Sequence, residues 1–179
     1  DFLGDDAGGA GGTGGAGGLW IAAGDVSGHG YSCAIALAMT KAALASLIPA
    51  RRSPAAVLDR LHEVLRKSGP GRAFTTLTLL RLQPETGEVV LANAGHPAPF
   101  LLGGPDGDGV SELALPGLPL GQGPRREYGE IRFAIPPGGA LVLYSDGLFE
   151  APDAGLVGVR QLHVVEGRAG GADQRRPLP

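Results

Sequence analysis

Leu19-Trp20-Ile21-Ala22-Ala23, followed by Gly24-Asp25-Val26-Ser27-Gly28-His29-Gly30, couples a short apolar run to a glycine-framed turn. An apolar run this short, bounded by glycine, suits a buried strand better than a helix. The glycines at 24, 28 and 30 permit positive φ and let backbone and ligand approach where a Cβ would stand in the way. Asp25 is thereby set at the tip of a strand. A second segment is built the same way: Leu141-Val142-Leu143-Tyr144 runs into Ser145-Asp146-Gly147. Two strand-end carboxylates invite a shared divalent cation, and oxygen donors favour Mg2+ or Mn2+ over zinc.

Working outward, the sequence predicts a helix over about 31–48, with Cys33, Leu37, Leu44, Leu47 and Ile48 on one side. A second helix begins where Ser53 caps and Pro54 fills the first turn, and Val57, Leu58, Leu61, Val64 and Leu65 form its apolar stripe. Gly69-Pro70-Gly71 ends it. Strands are expected at Phe74 to Leu82, Glu88 to Ala92, Pro99 to Leu102, Ser111 to Leu115, Tyr128 to Ile135 and Ala140 to Tyr144, with a Pro84-Glu85-Thr86-Gly87 turn between the first two. Strands joined by hairpin turns, with helices segregated from them, argue for an α+β fold with antiparallel sheets. Between Gly4 and Gly18, nine of fifteen residues are glycine and none is strongly apolar. Such a stretch gains little from burial and loses much entropy on ordering, so a mobile loop is expected there.

Composition bounds the function. The chain has 179 residues, 43% of them hydrophobic, enough for one core and one domain. A net charge of −3 gives no footprint for nucleic acid or an anionic membrane. No apolar run approaches the roughly 20 residues that span a bilayer, and no signal-like start is present. The single cysteine, Cys33, forms no internal disulfide. A cytoplasmic location is expected.

Several motif readings fail on their own terms. Gly28-His29-Gly30-Tyr31-Ser32-Cys33 has Cys at the third glycine of a dinucleotide fingerprint, with no acid placed for a ribose about 20 residues on. Gly24 to Gly30 lacks the Lys-Ser/Thr of a phosphate loop. Asp25, Ser27 and His29 are too close in sequence for a triad, whose members converge from separate segments. His29 is read as packing its loop, His62 and His163 as ordinary helix and surface residues, and Cys33 as a small buried side chain. Glu150 is read as orienting the turn after Asp146.

Five segments together carry a resemblance. Gly24 to Gly30, Phe74-Thr75-Thr76, Ala94-Gly95-His96-Pro97, Pro119-Leu120-Gly121 and Tyr144-Ser145-Asp146-Gly147-Leu148-Phe149-Glu150-Ala151 stand in the order and near the spacing of the metal-dependent type 2C (PPM) protein phosphatases. Specifically, the chain resembles their SpoIIE-like bacterial branch, over residues 1 to about 159. The resemblance implies two antiparallel sheets packed face to face and flanked by helices, an α-β-β-α sandwich. It implies that Asp25 bridges two Mg2+ or Mn2+ ions, that the Val26 carbonyl adds a ligand, and that Asp146 holds the second ion. Asp1 matches the first acid of an early acidic motif that orders metal-bound water. His96, in its Asn-x-Gly-His-Pro turn, either touches phosphate or fixes loop backbone.

The chain also departs from that pattern. The second acid of the early motif falls at Gly4, with Asp5 and Asp6 adjacent, and nothing after Asp153 offers the acidic pair that supplies the family's last metal-binding Asp. Incompleteness at both ends is therefore expected, with a phosphatase domain over 1–166, a glycine-rich loop over 4–18 and a disordered tail over 167–179. The implied reaction is hydrolysis of phosphoserine or phosphothreonine on a signalling regulator such as an anti-sigma-factor antagonist. The alternatives are a non-catalytic pseudophosphatase domain that binds a partner protein and a metal-dependent phosphoesterase acting on small molecules.

Overall fold

The computed structural model describes residues 2–6, 18–28, 30–50, 53–69, 73–103, 109–124, 127–145 and 162–166. Asp1, His29, Asp146, Glu150, the tail over 167–179 and most of the glycine-rich stretch lie outside these residues.

Nine strands and two α-helices are described: β1 (Phe2–Asp6), β2 (Leu19–Val26), α1 (Tyr31–Leu47, continued by a 3₁₀ turn at Ile48–Ala50), α2 (Pro54–Ser68), β3 (Thr75–Leu82), β4 (Glu88–Ala94), β5 (Phe100–Leu102), β6 (Val110–Glu112), β7 (Glu130–Ala134), β8 (Ala140–Tyr144) and β9 (Leu162–Glu166). They form one sheet in the order β1-β2-β3-β4-β7 and another in the order β6-β5-β8-β9. Every pairing is antiparallel. The expected α+β class with two antiparallel sheets is the fold observed.

The alternation of side chains along a strand assigns each face of the larger sheet. Trp20, Ala22, Leu77, Leu79, Ala92 and Ala94 point to one side and meet Leu44, Val57, Leu58, Leu61 and Leu65 of the helices. Ile21, Ala23, Leu80, Leu82, Val89 and Leu91 point to the other and meet Leu141 and Leu143 of the smaller sheet. The two sheets thus share one core while both helices cover the opposite face of the larger sheet. Leu58, Leu61 and Leu65 each remove a large apolar side chain from water, a gain of about 1.5–3 kcal/mol apiece. Among the described residues this makes three layers, with no second outer helical layer of the expected sandwich among them.

Some boundaries differ from the sequence expectation. Gly4, Asp5 and Asp6 belong to β1, paired with Ala22, Ile21 and Trp20, so the glycine-rich connection starts later than residue 4. The ladder with β2 supplies the backbone partners that these residues cannot supply locally. β9 was not anticipated; it pairs with β8 from Ala140↔Glu166 to Tyr144↔Leu162, and Val165 packs into the core between the sheets. The helix with its 3₁₀ extension, Tyr31–Ala50, is also long and apolar enough by length and composition to cross a membrane, which corrects the expectation that no stretch comes close. Lys41 is the one charged residue between Tyr31 and Ala50, so the mean hydropathy of the segment stays high. In the fold, Ala36, Thr40 and Leu44 of this helix are buried, and Thr40 Oγ1 donates to the Ala36 carbonyl at 2.8 Å.

α2 begins as predicted. Ser53 Oγ accepts from Ala56 N–H at 3.3 Å and donates to Glu130 Oε2 at 2.7 Å, tying the helix start to β7. His62, read from sequence as ordinary, is fully buried. Its Nε2–H donates to the Pro124 carbonyl at 3.0 Å, and its Nδ1 lies 3.3 Å from the Tyr128 hydroxyl, which donates to the Leu118 carbonyl at 2.9 Å. Tyr128 N–H in turn donates to Asp59 Oδ1 at 2.8 Å. The segment between β6 and β7 is therefore clamped onto α2 by polar contacts as well as by Leu120, which pairs with Thr75.

Candidate active site

Asp25 stands on β2 directly opposite Thr76 on β3, and the next strand, β4, ends at Ala94 opposite Leu77. Three adjacent strands thus end at one edge of the larger sheet. The close fit of β2 on β3 requires Gly24, because a Cβ there would run into the Thr76 carbonyl. After β4 the chain turns at Gly95 with φ +73, where a Cβ would also approach Pro119 Cδ to 2.9 Å. That turn returns His96 over β3.

His96 is held at every point of its backbone and at its ring. Asn93 Oδ1 accepts from His96 N–H at 3.1 Å and from Thr78 Oγ1 at 3.2 Å, while Asn93 Nδ2 donates to the His96 carbonyl at 2.9 Å and to the Leu115 carbonyl at 3.1 Å. The Thr76 hydroxyl lies 3.0 Å from His96 Nδ1 and donates to the Asp25 carbonyl at 3.4 Å. Asp25, Thr76, Gly95, His96 and Pro97 line one cleft of about 330 Å³. Of the two roles open to His96 in sequence, the loop-fixing one is visible in its Asn93 contacts. The cleft position leaves it beside Asp25 as well.

Asp25 is half-buried and Val26 is buried. The Cys33 thiol, from the first turn of α1, donates to the Val26 carbonyl at 3.4 Å. A carbonyl oxygen has two lone pairs, so this contact leaves one available. A carboxylate and a carbonyl at adjacent residues are hard donors that fit Mg2+ or Mn2+. Among the described residues no three His, Cys, Asp or Glu side chains gather as a metal site. The other acids predicted for the site, Asp1 and Asp146, lie outside the described residues, although β8, which leads to Asp146 through Ser145, ends at Tyr144 as expected.

Thr76 and Asn93 were quoted in sequence only as parts of motifs. The signal that could have found Thr76 is its register: it faces Asp25 across one strand pair.

A family model described as stage II sporulation protein E (SpoIIE) matches residues 15–174. Phosphoserine phosphatase RsbU of Bacillus subtilis (strain 168) is 29% identical over 130 residues, which cover 73% of this chain and 38% of RsbU. The chain therefore spans well under half the length of that relative. The crystal structure of the RsbU and RsbW domains of Rv1364c from Mycobacterium tuberculosis matches with a TM-score of 0.61 at 29% identity, over 75% of this chain and 38% of that one. The SiaA-PP2C domain of Pseudomonas aeruginosa matches with a TM-score of 0.61 at 26% identity, over 73% and 51%. The two sheets are therefore arranged as in solved PP2C-type domains, and with the family match running from before β2 to beyond β9, this chain belongs to the SpoIIE family.

Proposed function

We propose that the chain is a metal-dependent protein phosphatase that hydrolyses phosphoserine or phosphothreonine on a regulatory protein. The observation that supports it most is the cleft in which Asp25, carried rigidly by β2, sits with Thr76 and His96. RsbU carries the name phosphoserine phosphatase and is 29% identical over the matched residues, which supports the same reaction here. A phosphorylated anti-sigma-factor antagonist is the regulator class we propose as substrate.

Phosphate monoester hydrolysis is among the slowest uncatalysed reactions, so the site must neutralise charge and present a ready nucleophile. The Asp25 carboxylate and the Val26 carbonyl would hold Mg2+ or Mn2+, with Asp146 and Asp1 as the further acids. When bound, paired ions supply a water of lowered pKa and a clamp for phosphoryl oxygens. The protein's own part is placement. β2 fixes Asp25, the Gly95 turn fixes His96, and the Thr76 hydroxyl joins the Asp25 carbonyl to the His96 ring. The test is hydrolysis of a phosphoserine peptide with and without Mn2+: turnover that requires the ion supports the proposal, and none at saturating Mn2+ contradicts it.

A further inference from the structure

A second cleft lies beside the turn that carries His96. Among the described residues Pro116, Gly117, Leu118, Glu127 and Tyr128 line it, and its volume is about 330 Å³. The two clefts adjoin through one contact: Gly95 lines the cleft of Asp25, and Pro119 Cδ comes within 2.9 Å of where a Cβ on Gly95 would stand. Leu118 is the residue before Pro119, so its Cα lies about 3.8 Å further along the chain. The wall between the clefts is held from several sides. Asn93 Nδ2 donates to the His96 carbonyl at 2.9 Å and to the Leu115 carbonyl at 3.1 Å, so one side chain ties the active-site turn to the segment that enters the second cleft. Gly117 packs so closely on β4 that a Cβ there would run into the Asn93 carbonyl. Tyr128 O–H donates to the Leu118 carbonyl at 2.9 Å. The Leu118 backbone is thus fixed while its side chain is 48% exposed, whereas Leu120, two residues on, is fully buried.

We propose that this second cleft seats a leucine-sized apolar side chain of the phosphoprotein substrate, two to four residues from the phosphoserine in the Asp25 cleft. This rests on the phosphatase function above and adds a sequence requirement to it. Three features support this occupant. The first is continuity: an extended substrate advances about 3.3 Å per residue, so a chain whose phosphoserine enters the Asp25 cleft reaches Leu118 within a few residues. The second is the lining. Pro116, Leu118 and Tyr128 offer apolar surface, and the one charged group among the described lining residues is the Glu127 carboxylate, which repels a phosphate. The cleft therefore suits an apolar neighbour of the phosphoserine and not the phosphate itself. The third is size, because about 330 Å³ stands at the small end of ligand cavities and takes a side chain rather than a large cofactor. A fixed backbone under an exposed Leu118 side chain offers apolar contact with little ordering cost on binding.

The probes are alanine-based peptides with a central phosphoserine, a series carrying one Leu two, three or four positions to either side and a control carrying none, assayed with saturating Mn2+. The proposal expects one placement to raise the wild-type kcat/KM about tenfold over the control, mostly through KM. That ratio is expected to fall to about one in Leu118→Ser and to persist in Leu118→Met. The substituted side chain is exposed, and melting curves check that each variant folds; should Leu118→Ser fail to melt cooperatively, Leu118→Ala replaces it. The absence of a gain at every placement overturns the proposal, as does a gain that survives in Leu118→Ser. If the wild type turns over neither the peptides nor p-nitrophenyl phosphate with Mn2+, the phosphatase function is what fails. The cleft is then read from the fluorescence anisotropy of the same peptides carrying a label: tighter binding of a Leu peptide that Leu118→Ser abolishes supports it, and equal binding of Leu and control peptides overturns it.

Discussion

At the scale of single residues, His62 shows how a polar group becomes part of a core. Its ring is fully buried yet meets the Pro124 carbonyl and the Tyr128 hydroxyl, so burial leaves it hydrogen-bonded rather than stranded. Replacing it by Leu keeps the volume but removes its bond to the carbonyl of the exposed Pro124, which then turns to water, so the cost is that of a lost hydrogen bond, about 0.5–1.5 kcal/mol. Urea unfolding of His62→Leu is expected to show a loss in that range, and a loss below about 0.5 kcal/mol would contradict the clamp. Sequence alone could place His62 on a helix but not say that it was buried. Its partners are separated from it by 62 and 66 positions, and only the fold brings them together. The same holds for His96, whose turn was legible from Asn93-Ala94-Gly95-His96-Pro97 while its Thr76 contact was not. Asp25, by contrast, could be placed at a strand end from the residues on either side of it.

At the scale of elements, the start of α2 is joined to β7 through Ser53 and Glu130. Burial pushes the Glu130 carboxyl up, but hydrogen bonds from Ser53 and Arg132, with the Arg132 charge, outweigh it and hold the group below its ordinary value. A carboxyl lowered in the folded state stabilises the fold fully above the ordinary carboxylate value, and the contribution is lost as pH falls through the lower folded value. The stability difference between wild type and Glu130→Gln is therefore expected to be full at neutral pH and to shrink in acid. A difference that grows on acidification would contradict this. Ser53→Ala removes the cap and the Glu130 contact together and is expected to cost about 1–2 kcal/mol, read by thermal or urea unfolding. This cap was legible in sequence because Ser-Pro before an apolar stripe is a local signal. β9 was not, because Leu162–Glu166 is short and does not alternate apolar with polar residues, and it acquires strand identity from pairing with β8.

At the scale of the whole molecule, the larger sheet does two jobs. One face packs on the helices, the other packs on the smaller sheet, and its edge at Val26, Thr75 and Ala94 carries the cleft. The connection between β1 and β2 carries no strongly apolar residue to add to either core. Deleting residues 7–15 leaves four residues between the paired Asp6 and Trp20, a length that hairpins accept. Because closure entropy varies slowly with loop length, stability is expected to change by less than about 1 kcal/mol in urea unfolding. A loss above about 2 kcal/mol would show that the connection packs against the fold.

The proposed phosphatase function turns on Asp25, and one comparison tests it most directly: turnover of a phosphoserine peptide by wild type and Asp25→Asn, in chelator and after Mn2+ is restored, with melting curves for both. Asp25 is half-buried and its substitution removes charge rather than volume, so both proteins are expected to melt cooperatively within a few degrees of each other. The wild type is expected to lose turnover in chelator and regain it with Mn2+, and Asp25→Asn to fall by about 10²-fold or more at saturating Mn2+. Turnover that survives chelation, or an Asp25→Asn variant that matches the wild type, would contradict it.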